Sequence, residues 1–225
     1  MTTVDRRRTA VRRTSVILTG LLIAYIPSWL PPVFRWARID LPAVAAGPAA
    51  SIVWNVAAVA GLVTYILTVE RRSLASIGLR RPSGKDLEWA LILFGCHMGF
   101  TWLARTIWPP DVDDGSAQIA SMPLFAVVLL ILSAAVFEEI LHRGYPLERL
   151  TELTGRRWLA VALTAPVFVV PHLVFFGPSW LLYQGSGTLV LYVLFLWRRN
   201  LVACMALHLL INLPILFVVG VGAGS

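Results

Sequence analysis

Two adjacent carboxylates, Glu138 and Glu139, close the apolar run Pro123 to Phe137 and are followed by Ile140-Leu141-His142-Arg143. A charge at the bilayer centre costs roughly 2.5–3.5 kcal/mol on insertion scales, so an acid in such a run points to function before packing. On a helix, Glu139 and Arg143 stand four apart with the acid on the N-terminal side, the favourable order for a same-face ion pair. Glu138 points about 100° away from Glu139 and has no evident partner. One carboxylate is thereby neutralised and the other is left for proton chemistry. Two further polar groups sit deep in apolar runs with a neighbour at the same spacing. Phe168 and His172 share one helical face, and so do His208 and Asn212. Pro171, directly before His172, weakens the local helix ladder, which a membrane tolerates where the backbone lines a cavity. No serine or cysteine is placed beside a histidine as a nucleophile would be, which leaves water as the simpler attacking group.

The elements that must carry these residues are membrane helices. The 225 residues are 58% hydrophobic and 14% charged, with a mean hydropathy of +0.76, against about half apolar and a quarter charged for a soluble domain. The expected fold is all-α, a polytopic bundle of about seven membrane helices. A basic tail, 1–14, precedes two N-terminal helices within 15–69, the first over Ser15–Leu30 and bent or ended by Pro27, Pro31 and Pro32. A core spans 70–219, and 220–225 form a C-terminal tail. The seven spans are read as Ser15 to Phe34, Pro48 to Val69, Leu87 to Trp108, Pro123 to Arg143, Trp158 to Phe176, Ser179 to Trp197 and Leu201 to about Val219. Gln184-Gly185-Ser186-Gly187 interrupts the sixth, which makes it short, kinked or partly re-entrant.

Sixteen of the nineteen basic residues, Arg143 among them, fall on one side when loops alternate. The positive-inside rule then places the N-terminus in the cytoplasm and the C-terminus outside, in a multi-pass protein of the cell membrane. The net charge of +7 is distributed between spans, so it is no nucleic-acid footprint. Eighteen of the nineteen basic residues are arginine, a bias that suggests a GC-rich bacterial coding sequence.

Counting places the polar residues at one depth. Glu138 and His172 lie 17 residues either side of Gly155, a helix-ending residue in Thr154-Gly155-Arg156-Arg157. A hairpin turning there brings both side chains level, some 25 Å from the turn at about 1.5 Å per residue. His208, nine residues beyond Arg199, sits roughly 13 Å along the seventh helix by the same rise. The three elements converge in the cytoplasmic half of the membrane.

The ordered set Glu138-Glu139-x-x-x-Arg143, Phe168-x-x-x-His172 and His208-x-x-x-Asn212 resembles the three motifs of the CPBP family. These are intramembrane proteases related to type II CAAX prenyl endopeptidases and to bacterial bacteriocin-processing and immunity proteins. Ser73 to Arg81 is similar to the loop that often precedes that family's core, and the resemblance covers roughly residues 70–215. It implies hydrolysis of a peptide bond in a peptide or membrane-protein substrate within the bilayer. By similarity, Glu138 is the base that activates water, His172 helps to hold that water, and His208 and Asn212 donate to the oxyanion. Glu139, Arg143 and Phe168 support the geometry.

Glu138, His172 and His208 could also form a two-histidine, one-carboxylate zinc site. The ligands come one per helix, without His-Glu-x-x-His spacing, and a metal-free glutamate mechanism with no cofactor is the favoured expectation. The competing function is a non-catalytic scaffold or immunity protein, or a proton-coupled transporter using the same buried groups. A relay wants acids spread through both halves of the membrane, whereas here they are adjacent. His97 is expected to be interhelical glue, His142 to lie at the cytoplasmic interface, and Gln184 and Ser186 to serve the kink. Trp29, Trp36, Trp108 and Trp180 read as interfacial belt residues.

Overall fold

The structure, a computed structural model, describes residues 3–39, 50–110 and 113–216. Every regular element in these residues is helical. The chain runs α1 (Thr3–Trp36), α2 (Ala50–Thr68), a 3-10 turn (Leu74–Ile77), α3 (Gly84–Ile107), the short α4 (Asp114–Ala120) and α5 (Leu124–Ser133). A π-helical segment (Ala134–Gly144) then leads into α6 (Tyr145–Thr154), followed by α7 (Arg157–Phe176), the four-residue α8 (Trp180–Tyr183), α9 (Gly185–Arg198) and α10 (Leu201–Asn212). Pro48 at the start of the second expected span, Asp111, the end of the seventh near Val219, and the tail 220–225 lie outside the described residues.

Among the described residues four helical stretches are long and apolar enough to cross a membrane: Ala50–Thr68, Gly84–Ile107, Leu124–Thr154 and Arg157–Phe176. That is fewer than the seven read from hydropathy. The sixth expected span divides at Gln184, where the glycines of Gly185-Ser186-Gly187 lower helix propensity, and leaves α9 with 14 residues. A perpendicular crossing needs about 20. α10 stops after 12, because Pro214 has no N–H for the carbonyl of Leu210. At the other end of the chain, α1 is longer than expected. It starts at Thr3, inside the segment read as a basic tail ahead of the first helix, and continues through Pro27, Pro31 and Pro32 to Trp36. Arginine is a good helix former, and Arg13 anchors this arm by donating to the carbonyl of Glu152 at 3.0 Å.

The four basic segments meet at one end of the bundle. Arg149, fully buried, donates through Nη2 to Glu70 at 2.6 Å and to Ser76 Oγ at 2.9 Å. Arg72 pairs with Glu152 at 2.7 Å, Arg198 with Asp86 at 2.6 Å, and Arg199 with Glu148. Arg80 donates to the carbonyls of Arg198 and Arg199. Arg143, counted in the charge tally, lies apart from this basic end: it is fully buried and pairs with Glu139 inside the π-helical segment. The core lies toward this end, where Leu62 and Ile66 of α2, Leu141 and Leu147, Leu194 of α9 and Leu207 of α10 are all nearly inaccessible. Leu91, Trp102, Phe125, Leu129, Leu163, Val174 and Leu189 are exposed instead, an apolar perimeter that hydrocarbon would cover.

One close approach locks α1 to this core. The Tyr145 hydroxyl, which donates to Glu70 at 2.8 Å, lies 1.7 Å from where a Cβ on Gly20 would be. A Gly20→Ala change is expected to displace Tyr145 and to cost about 1–3 kcal/mol of overpacking strain. A drop in the melting temperature of the detergent-solubilised protein would register it, and an unchanged melting temperature would refute it.

Candidate active site

The helix carrying the two acids changes its winding where they stand. From Ala134 to Gly144 the ladder is π-helical, and its last bond runs from the Tyr145 N–H to the carbonyl of Ile140, five residues back. Pro146 contributes to the switch. It has no N–H to continue the ladder and sits in the first turn of α6, where none is needed. The wider winding stacks residues four and five apart. Glu139 thus faces Arg143, and Glu138 shares a side with His142.

Glu139 is the hub of the buried charges. Its Oε1 accepts from Arg143 Nη1 at 2.5 Å and lies 2.7 Å from Nδ1 of His208 on α10, with no part of the carboxylate exposed. The Arg143 guanidinium lies between the rings of Phe168, 4.6 Å away, and Tyr192, 4.9 Å away, a cation–π arrangement strengthened by desolvation. A carboxylate oxygen only accepts, so Nδ1 of His208 carries the hydrogen and Nε2 is the nitrogen left for chemistry. The loop before α3 sets the height of His208. Gly78, at φ +79°, presents its carbonyl to the N–H of Leu201 at 2.8 Å. A side chain there would be strained and would meet the Phe195 ring. Asn200 caps α10 through Ala203 N–H and donates to the carbonyls of Arg80 and Arg81.

His172 belongs to the other half of the cluster. Its Nδ1 lies 2.7 Å from the Phe168 carbonyl, which also only accepts, so here too Nε2 is free. The ring is flanked by Phe168 at 4.5 Å and Trp180 at 4.7 Å, with Phe176 at 6.2 Å. Glu138, half-buried, lies close enough to act on His172 electrostatically. It makes no hydrogen bond or ion pair with any described residue. The α6–α7 hairpin that produces this meeting ends α6 at Gly155, whose φ of +71° is the left-handed cap. Asn212, half-buried, stands one turn beyond His208 and has no hydrogen-bond partner among the described residues. Its place beside His208 follows from spacing on α10 alone.

The structure adds residues that the sequence reading misplaced. His142 is buried, 7% exposed, with its ring 5.6 Å from Tyr25 and 5.2 Å from Phe168. The expected interfacial position is thus replaced by an interior one, for which the four-residue spacing from Glu138 is the sequence signal. Trp180, grouped with the interfacial tryptophans, stacks on His172 instead. A serine does stand beside a histidine: Ser186 Oγ is 2.8 Å from Nδ1 of His97, a proximity invisible across 89 residues of sequence. No other hydrogen bond orients His97 among the described residues, and a nucleophile's base needs a third group to aim it. This pair works with Thr101, which donates to the Tyr183 carbonyl at 3.1 Å, to staple α3 to the break between α8 and α9.

The fit of a metal can be judged from the donors. Free Nε2 atoms on two histidines whose Nδ1 atoms are engaged match the usual outer support of metal ligands. Among the described residues, however, no three His, Cys, Asp or Glu side chains are grouped closely enough to hold an ion. The set Glu138, His172 and His208 does not converge as ligands would.

The family described as Type II CAAX prenyl endopeptidase Rce1-like has a model that matches residues 120–214, the segment that carries all three motifs. No curated protein and no solved structure matches the chain.

Proposed function

Because residues 120–214 match the model of the family described as Type II CAAX prenyl endopeptidase Rce1-like, we propose that this chain is an intramembrane endopeptidase working by glutamate-activated water. The observation that carries the reading is the division of labour between neighbours. Glu139 is engaged through Oε1 by both Arg143 and His208, its Oε2 being buried without a hydrogen-bond partner among the described residues. Glu138, half-buried, has no hydrogen-bond partner beside His172. A carboxylate without a partner is placed to take a proton from water, and the free Nε2 of His172 to hold that water. The resulting hydroxide adds to the scissile carbonyl carbon. The oxyanion then accepts hydrogen bonds from Nε2–H of His208 and the Asn212 carboxamide, whose N–H groups suit a dry site. In that role His208 carries hydrogens on both nitrogens, and the carboxylate of Glu139 at Nδ1 stabilises the charged ring. When the C–N bond breaks, Glu138 returns its proton to the leaving amine. No step is routed through a metal, given how the donors are grouped.

The basic end of the bundle is read as cytoplasmic, which puts the N-terminus inside and the cut in the cytoplasmic half of the bilayer. The substrate is a peptide or a membrane-protein segment. The deciding experiment compares new peptide termini in membranes of cells expressing wild type or Glu138→Gln at matched levels. Termini that arise only with wild type support proteolysis and name the bond cut, and their persistence under a chelator supports the metal-free route. Identical profiles from two inserted proteins would refute it in favour of a scaffold or transporter.

A further inference from the structure

Peptide hydrolysis inside a bilayer sets a demand that the four motif residues do not meet. A helix must unwind before its peptide bond can be attacked, and each freed N–H and C=O is costly in hydrocarbon unless a partner replaces the lost bond. The protein therefore needs unpaired, buried hydrogen-bonding groups beside the catalytic base, outside the set that performs the chemistry.

Such groups lie on the other side of Phe168. Nδ1 of His142 is buried with no hydrogen-bond partner among the described residues, and so is the hydroxyl of Tyr25, whose ring packs on the His142 imidazole at 5.6 Å. His142 shares the side of the π segment that carries Glu138. Its ring meets Phe168 edge-on at 5.2 Å, and Phe168 in turn touches His172. It lies within electrostatic reach of Arg143, His172 and His208. Packing alone does not account for the imidazole, because phenylalanine would fill the space between Tyr25 and Phe168 without burying an unsatisfied nitrogen.

We propose that His142 and Tyr25 form a substrate-backbone site, which rests on the endopeptidase reading above. Tyr25 donates to a carbonyl of the unwound segment. His142 pairs through Nδ1 with an N–H or C=O, according to which ring nitrogen carries its proton. The ligand is any extended peptide backbone next to the scissile bond, held independently of its side chains.

The test uses a synthetic peptide, in lipid nanodiscs, spanning a bond that wild-type membranes cut and Glu138→Gln membranes leave intact. His142→Phe keeps the ring packing and removes the hydrogen bond. Its kcat/KM is expected to fall about tenfold, carried mainly by KM, while its melting temperature stays level or rises. Tyr25→Phe should behave likewise, and His142→Gln, which keeps a donor and an acceptor, should recover part of the loss. N-methylating the peptide at the residues flanking the cut should weaken binding to wild type more than to His142→Phe. Kinetics of His142→Phe within twofold of wild type would overturn this site, as would a loss matched by an equal fall in stability. The endopeptidase reading would survive either result. Identical terminal profiles for wild type and Glu138→Gln would overturn both.

Discussion

Glu138→Gln is expected to lower the cleavage rate by about 10²–10⁴-fold, the usual contribution of a positioned base, with no loss of folded protein. The side chain keeps its size, and no described hydrogen bond or ion pair is broken, because Glu138 has none. In the proposed mechanism, what disappears is the acceptor for the water proton and the donor for the leaving amine. Glu138→Asp draws the carboxylate back by one methylene from His172 and should fall between the two. Single-turnover rates at matched protein levels would measure the effect. A Glu138→Gln enzyme retaining more than about a tenth of the wild-type rate would remove this residue from the chemistry.

Glu139→Ala acts on the fold as well as on the site. It leaves the fully buried Arg143 without its carboxylate and takes from His208 Nδ1 its acceptor. Breaking one side of a buried pair costs about 3–5 kcal/mol, since the surviving charge remains desolvated. Arg143→Ala should cost a similar amount for the mirror reason. Replacing both, as Glu139→Leu with Arg143→Met, should restore much of the stability by removing both buried charges together. It should not restore cleavage, because His208 is no longer oriented. Thermal unfolding in detergent, analysed as a double-mutant cycle, would give the coupling. Additive single effects would mean that the two groups do not depend on each other.

Much of this molecule was legible as local spacing. Four-residue separations put Glu139 with Arg143 and Phe168 with His172, and a glycine between Thr154 and two arginines announced the hairpin that ends at Gly155. Clusters of arginine between apolar runs marked the end where residues 70–86, 148–157 and 198–200 meet. Such features follow from the helical period and from the solvation of charge, and neither depends on the neighbouring helices.

The tertiary structure decided what lay across the space between helices. That Glu139 holds His208, that Trp180 stacks on His172, and that Ser186 reaches His97 depend on how each helix is rotated against its neighbour. Spacing within one helix carries no information about that rotation. Hydropathy alone does not set the span count, since it registers apolar residues whether lipid or protein surrounds them: among the described residues four helices are long and apolar enough to cross, and the core around α9 and α10 is apolar and packed. His142 joins both cases. Its sequence position set its distance from Glu138 along the helix, and only packing against Tyr25 and Phe168 placed it in the interior, away from water.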